Sequence, residues 1–249
     1  MGLNRNKIKE YHIEVADALK EIGIHAYGKA VRQDRKSQLE YLGVSFQKLR
    51  KRVKQGFSFY KLSDENVLEV WDALWKSTPY GDVLFAAIEF YKPIVLKNVN
   101  QDIWSVVCNW SERVDNWCHS DGLSSVYSRL LENEFEEVYP QIVIWNNSGN
   151  EWLRRISLVS VIHYTGKNAV FLPHKKMFPL VKNCIEDQRY YVQTAVGWVL
   201  REMWNKYPDE VTEFIETYSG KMSTHSFSKA IEKFNNNERK RLREKRKNS

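Results

Sequence analysis

Asn116, Asn150 and Asp187 each precede an apolar stretch of helical period, and each is followed within three residues by an aromatic: Trp117, Trp152 and Tyr190. The offsets between them, 34 and then 37 residues, limit the fold more than any other feature. Two-helix solenoid units repeat at roughly 34 to 47 residues, and each unit buries its apolar side only by stacking on its neighbours. Strands find little support, because period-two alternation is rare and only 11 Gly and 6 Pro interrupt 249 residues. The expected fold is all-α: a HEAT-like repeat superhelix, an α-α solenoid with a basic concave groove.

Apolar spacing sets the expected helices. Ile8, Tyr11, Val15, Ala18, Leu19 and Ile22 mark one face of an opening helix. Residues 28–35 are basic and poorly periodic, and are expected to lead into a short helix ending near Leu42-Gly43. Residues 47–55 carry five basic side chains beside Leu49 and Val53, the pattern of a cationic surface helix. Ser63 is a candidate N-cap for a helix through Trp71 and Trp75. After a turn at 78–82 the chain is expected to return through 83–91. Further helices are expected over 100–107, 116–131, 136–145, 151–164, 175–184, 189–207, 209–218 and 226–234. This gives one repeat domain over 1–235 and a basic, disordered tail over 236–249.

The net charge of +7 and pI near 9.1 favour a polyanionic partner. Seven Lys or Arg against two Glu between Glu238 and Lys247 hold +5 of that charge, so about +2 is left for the body. The tail is open to two readings, a solvated terminus or a phosphate-binding arm. Cys108, Cys118 and Cys184 form no CxxC pair, which suits a reducing, cytoplasmic setting. Six scattered histidines lack ligand spacing, so neither a metal nor a cofactor is expected. No apolar run approaches the roughly 20 residues that span a bilayer, and no signal-peptide core follows residues 1–7. A soluble monomer without a membrane partner is expected.

The chemistry-bearing residues fall on the repeat register. Trp117 and Asp121 are one helical turn apart, so a ring and a carboxylate share a face. Asp121 plus 34 is Arg155, which gives the two equivalent positions in adjacent repeats, with Trp198 on the following one. A basic groove of this kind fits a duplex backbone. A carboxylate opposes phosphate binding, so it needs a compensating cation or a task that requires negative charge. Stabilising the oxocarbenium-like sugar formed when an N-glycosidic bond breaks is such a task, and aromatic faces attract cations as well. Packing remains the alternative for Trp117 and Trp198, and a structural ion pair with Arg113 or Arg129 for Asp121. Cys118, His119 and Ser120 do not form an oriented nucleophilic triad. Arg201-Glu202 reads as an inter-helix ion pair.

Over roughly residues 37–234 the chain resembles the AlkD-like DNA alkylation repair glycosylases, a family of HEAT-like repeat proteins. The resemblance rests on Tyr41-Leu42-Gly43-Val44, on Trp117 through Asp121, on Asn150-Glu151-Trp152-Leu153-Arg154-Arg155 and, most specifically, on the string from Tyr191 to Glu202. It implies that Asp121 is the catalytic carboxylate, that Trp117 and Trp198 pack against the deoxyribose and backbone of the lesion, and that Arg155 holds phosphate. Arg154 is the adjacent alternative, about 100° around the helix. It further implies a glycosylase of base excision repair acting on cationic 3-alkyladenine and 7-alkylguanine in double-stranded DNA. Water would be the nucleophile, and no base would be flipped, since a positively charged purine is already a good leaving group. The alternative is a non-catalytic module binding damaged, bent or branched DNA. Departures are the missing groove-facing aromatic of the first helical segment, where Asp34 stands with Tyr27 nearby, and a short insertion around 166–173.

Overall fold

The computed structural model describes residues 3–97, 101–162 and 170–248, and among them the fold is all-α. No strand occurs there; one isolated parallel bridge pairs Glu40 with Tyr80. The chain divides into two compact units, Met1–Val126 and Tyr127–Ser249, within a span expected to form one repeat domain and a tail.

The first unit begins with α1 (Arg5–Ile22), whose Tyr11, Val15, Ala16 and Leu19 are buried. Next come α2 (His25–Arg35), α3 (Phe46–Gln55), a 3-10 turn at Ser58–Lys61, α4 (Asp64–Ser77), α5 (Gly81–Lys97), α6 (Gln101–Val107), a 3-10 stretch at Cys108–Arg113 and the start of α7 (Trp117–Asn133). Ser63 caps α4, its hydroxyl accepting from the Asn66 N–H at 3.4 Å. Trp71 and Trp75 are sealed in the core, and the Trp75 ring stacks on Trp110 at 4.6 Å.

One expectation fails in this unit. The basic stretch is itself the helix, α2, which ends at Lys36 in the left-handed region with φ 51°. The segment through Leu42 and Gly43 is extended instead of helical. Its backbone groups find partners far away in sequence: Gly81 N–H donates to Glu40 C=O at 2.8 Å, and Ile24 N–H to Gly43 C=O at 3.1 Å. The buried Asp82 carboxylate accepts from Leu42 N–H at 2.7 Å and Val44 N–H at 3.0 Å. Gly43 sits at φ 79°, and a Cβ on it would lie 2.1 Å from the Ile24 carbonyl, so only glycine fits this position.

The second unit contains α8 (Phe135–Asn146), α9 (Glu151–Val159), α10 (His174–Asn183), α11 (Tyr190–Met203), α12 (Pro208–Tyr218), a 3-10 turn at Ser219–Lys221, α13 (Thr224–Ala230) and α14 (Asn236–Lys247). Helix α11 packs on both α9 and α13. Long-range hydrogen bonds recur near the length of the sequence period: Ser128 to Ile162 and Asn146 to Leu180 span 34 residues, and Tyr207 to Leu172 spans 35. The expected start of a helix at Asn100, the end at Tyr164 of the helix expected over 151–164, and residues 166–169 of the insertion lie outside the described residues.

The tail is ordered as α14. Asn235 and Glu238 form a capping box, Leu242 is buried, and Arg246 donates to the carbonyls of Met222 and Ser223. Arg241 and Lys245 both pair with Glu216. Charge composition suggested disorder, but a good cap, one apolar anchor and a facing carboxylate hold the helix.

Candidate active site

Asn116 determines how α7 begins. Its Oδ1 accepts from the backbone N–H groups of Cys118 and His119, each at 3.1 Å, satisfying two of the orphan donors of the first turn. Its Nδ2 donates to Asp115 Oδ1 and to His119 Nδ1, each at 2.7 Å. His119 Nε2 lies 3.0 Å from the Gly81 carbonyl, which can only accept, so that nitrogen carries the proton and Nδ1 is the acceptor. Burial, ahead of all other influences, pushes the imidazole down to about 4, against the pull of the Gly81 carbonyl. Burial works to raise the Asp115 carboxyl, yet Asn116, Ser37 and the Gln38 N–H together bring it below its usual range.

This network fixes the face that α7 presents. Trp117, Asp121 and Ser125, at i, i+4 and i+8, are half-buried; of the other residues from Cys118 to Val126, all but Gly122 are buried. The expected pairing of Trp117 with Asp121 on one accessible strip is therefore present. Burial pushes the Cys118 thiol up to about 11, and the charges that act on it are Arg35, Asp121, Lys92 and Asp34. Arg35 and Lys92 thus act on the first turn of α7. The Arg35 guanidinium lies over the rings of Tyr41 at 4.8 Å and Phe85 at 5.1 Å, while Lys92 bridges Glu89 at 2.8 Å.

The sequence did not single out Arg35 or Lys92. Their proximity to α7 depends on how α2 and α5 fold back, which no local pattern encodes. Arg113, a candidate partner for Asp121, instead donates to the carbonyls of Trp75 and Thr78 at the end of α4. Arg129 bridges Glu132 at 2.9 Å. Asp34, at the position expected for the family aromatic, and Tyr27 nearby are both exposed on α2.

Arg154, Arg155 and Trp198 lie in the second unit. Arg154 is anchored by Asp187 Oδ2 at 2.5 Å and the Asn146 carbonyl at 2.8 Å. Burial alone would raise the Asp187 carboxyl, but Arg189 and Arg154 bring it down to about 2. Arg155 is buried, and its Nη1 donates to the Tyr191 carbonyl at 2.6 Å and to Thr194 Oγ1 at 2.9 Å. Thr194 and Trp198 are one turn apart on α11, so Arg155 grips the helix face that carries the half-buried Trp198.

Much of the Tyr191-to-Glu202 string serves packing. Gln193 Nε2 donates to the Cys184 and Ile185 carbonyls at 2.9 and 3.2 Å. Gly197 lets α13 approach, since a Cβ there would lie 2.6 Å from the Ser226 carbonyl. Arg201 joins Glu202 and Glu232, and Lys233 closes on Glu202 at 2.8 Å. Among the described residues no group of three or more His, Cys, Asp or Glu could hold a metal ion, and no helix is long and apolar enough to cross a membrane.

Comparison with known proteins adds three kinds of finding. The profile of a family described as DNA alkylation repair enzyme matches residues 12–234. No curated protein sequence matches. Among solved structures, the chain is similar to an Enterococcus faecalis protein described as a "Predicted DNA alkylation repair enzyme", with 14% identity, TM-score 0.69, and coverage of 86% of this chain and 97% of that one. It is similar to AlkD2 from Streptococcus mutans, with 16% identity, TM-score 0.53, and coverage of 85% and 98%. It is also similar to the Pseudomonas fluorescens alkylpurine DNA glycosylase AlkC bound to DNA containing an abasic site analog, with 13% identity, TM-score 0.56, and coverage of 96% of this chain and 66% of that one. At these identities the structural likeness shows the fold.

Proposed function

Because the chain belongs to the family of DNA alkylation repair enzymes, we propose that it is a DNA glycosylase hydrolysing the bond between deoxyribose and a positively charged alkylated purine in duplex DNA. The observation that carries this reading is the strip on α7: Trp117 and Asp121 one turn apart and half-buried, on a helix whose start is locked by Asn116 and His119. A carboxylate held there is read as the negative group that stabilises charge on the sugar, and Arg35 and Lys92 act alongside it on the Cys118 thiol.

In the reaction the C1′–N bond breaks and its electron pair goes to the purine, which leaves neutral. Positive charge develops on the sugar ring, and the Asp121 carboxylate stabilises it. Water adds at C1′ and loses a proton, giving an abasic site. Trp117 and Trp198 are assigned to the deoxyribose and backbone of the lesion. Phosphate contact is assigned to Arg155 over Arg154, because Arg155 stands 34 residues after Asp121, on its repeat register. The helix pairs are read as HEAT-like repeats, and the enzyme as a monomer of base excision repair that leaves the base unflipped. On duplex DNA containing 7-methylguanine the purified protein should release the free base and leave abasic sites. Duplex that stays intact under conditions where the protein binds it would contradict the reading.

A further inference from the structure

A cavity of about 600 Å³ opens in the first unit beside α2, and none of its lining residues belongs to α7. His25, Lys29 and Arg32 stand at i, i+4 and i+7 on α2 and form one wall. Gly28 lies on the same face, so close to the extended segment that a Cβ would be 2.1 Å from the Tyr41 carbonyl. The floor is therefore backbone, and the basic side chains rise from it. Tyr80 also lines the cavity; its ring stacks on His12 with centroids 6.4 Å apart, and Lys20 Nζ lies 5.4 Å from its centroid. Arg32 Nε and Nη2 reach the Ser37 and Gln38 carbonyls at 3.4 Å each, which orients the guanidinium. Glu40 is the only carboxylate in the lining, against three permanent cations and a histidine.

We propose that this cleft binds a nucleotide through its phosphate. Lys29 and Arg32 hold the phosphate, and the flat base lies against Tyr80. Cations on α2 supply charge-assisted hydrogen bonds, the tyrosine supplies a stacking face, and the volume falls within the roughly 300–1,000 Å³ of small-molecule sites. The same chemistry is offered by a free mononucleotide and by the 5′-phosphorylated end of a strand.

Calorimetric titration of the full chain with thymidine 5′-monophosphate, thymidine and a 5′-phosphorylated tetrathymidylate separates these sources. Binding of the monophosphate assigns the free nucleotide, and binding of the tetranucleotide alone assigns the strand end. In either case thymidine should bind at least about ten-fold more weakly. The double charge reversal Lys29→Glu, Arg32→Glu should remove the binding, whereas Lys61→Glu, an exposed lysine elsewhere in the unit, should not. If the double variant does not fold, Lys29→Gln tests the same point at an exposed position. The proposal is overturned if neither phosphorylated ligand binds, if thymidine binds as well as they do, or if the α2 substitutions leave the affinity unchanged.

Discussion

Asn116 Nδ2 lies 2.7 Å from His119 Nδ1, and the opposite ring nitrogen donates to the Gly81 carbonyl at 3.0 Å. A proton added to Nδ1 would set two donors face to face inside the first turn of α7. The imidazole is therefore neutral in the folded chain, and the same contacts that keep it so aim the Trp117–Asp121 strip.

This contact predicts a specific pH dependence. The folded-state value is lowered to about 4 from an ordinary 6.5, so the unfolded chain takes up a proton first as pH falls. The contribution of His119 is fully present above pH 6.5 and is lost between about 6.5 and 4. Urea unfolding should show the first unit losing on the order of 2 kcal/mol between pH 7 and pH 5. In His119→Gln, which cannot titrate, the decrement should shrink to what remains from His12, whose imidazole burial also lowers; an equal decrement in both proteins would exclude His119 as its source.

The two adjacent arginines should behave differently when truncated. Arg154→Ala leaves Asp187 short of one cation and the Asn146 carbonyl short of one donor, and should lower stability by about 1–3 kcal/mol. Its effect on the salt dependence of duplex binding should be small. Arg155→Ala should weaken binding and reduce the slope of log affinity against log salt by about one. If the slope changes with Arg154 and not with Arg155, the phosphate assignment belongs to Arg154.

Much of the second unit was legible in the sequence, because its apolar spacing and turn residues are local. Asn116 and Asn150, 34 residues apart, do cap α7 and α9 in the same way, each accepting from N–H groups two and three residues on. Asp187 does not continue the pattern: α11 begins after Arg189, and Asp187 accepts from the Arg189 N–H at 2.9 Å in the approach to the helix. The register from α9 to α11 thus differs from that between α7 and α9. The extended 40–44 segment was illegible because its partners, Ile24, Pro79, Gly81 and Asp82, are distant in sequence. The influence of Arg35 and Lys92 on Cys118 in α7 was missed for the same reason. The strip itself was legible because i and i+4 share a face in any helix.

The ordered tail gives a third prediction. Deleting residues 236–249 removes the buried Leu242 and uncovers the Glu216 carboxylate that Arg241 and Lys245 neutralise. Loss of the apolar contact alone should cost about 2 kcal/mol, a fall of roughly 4–8 °C in the melting temperature of the second unit. Calorimetry that finds no change would mean that α14 contributes nothing to the fold.

The central claim is that the carboxylate on α7 performs the chemistry. Asp121→Asn keeps the size of the side chain and removes its charge, and the Asn116–His119 network one turn earlier remains in place. Single-turnover release of 7-methylguanine from duplex DNA, measured beside affinity for an undamaged duplex, should fall by about 10²–10³-fold while affinity is kept or rises. Release at the parent's rate by Asp121→Asn would contradict the account.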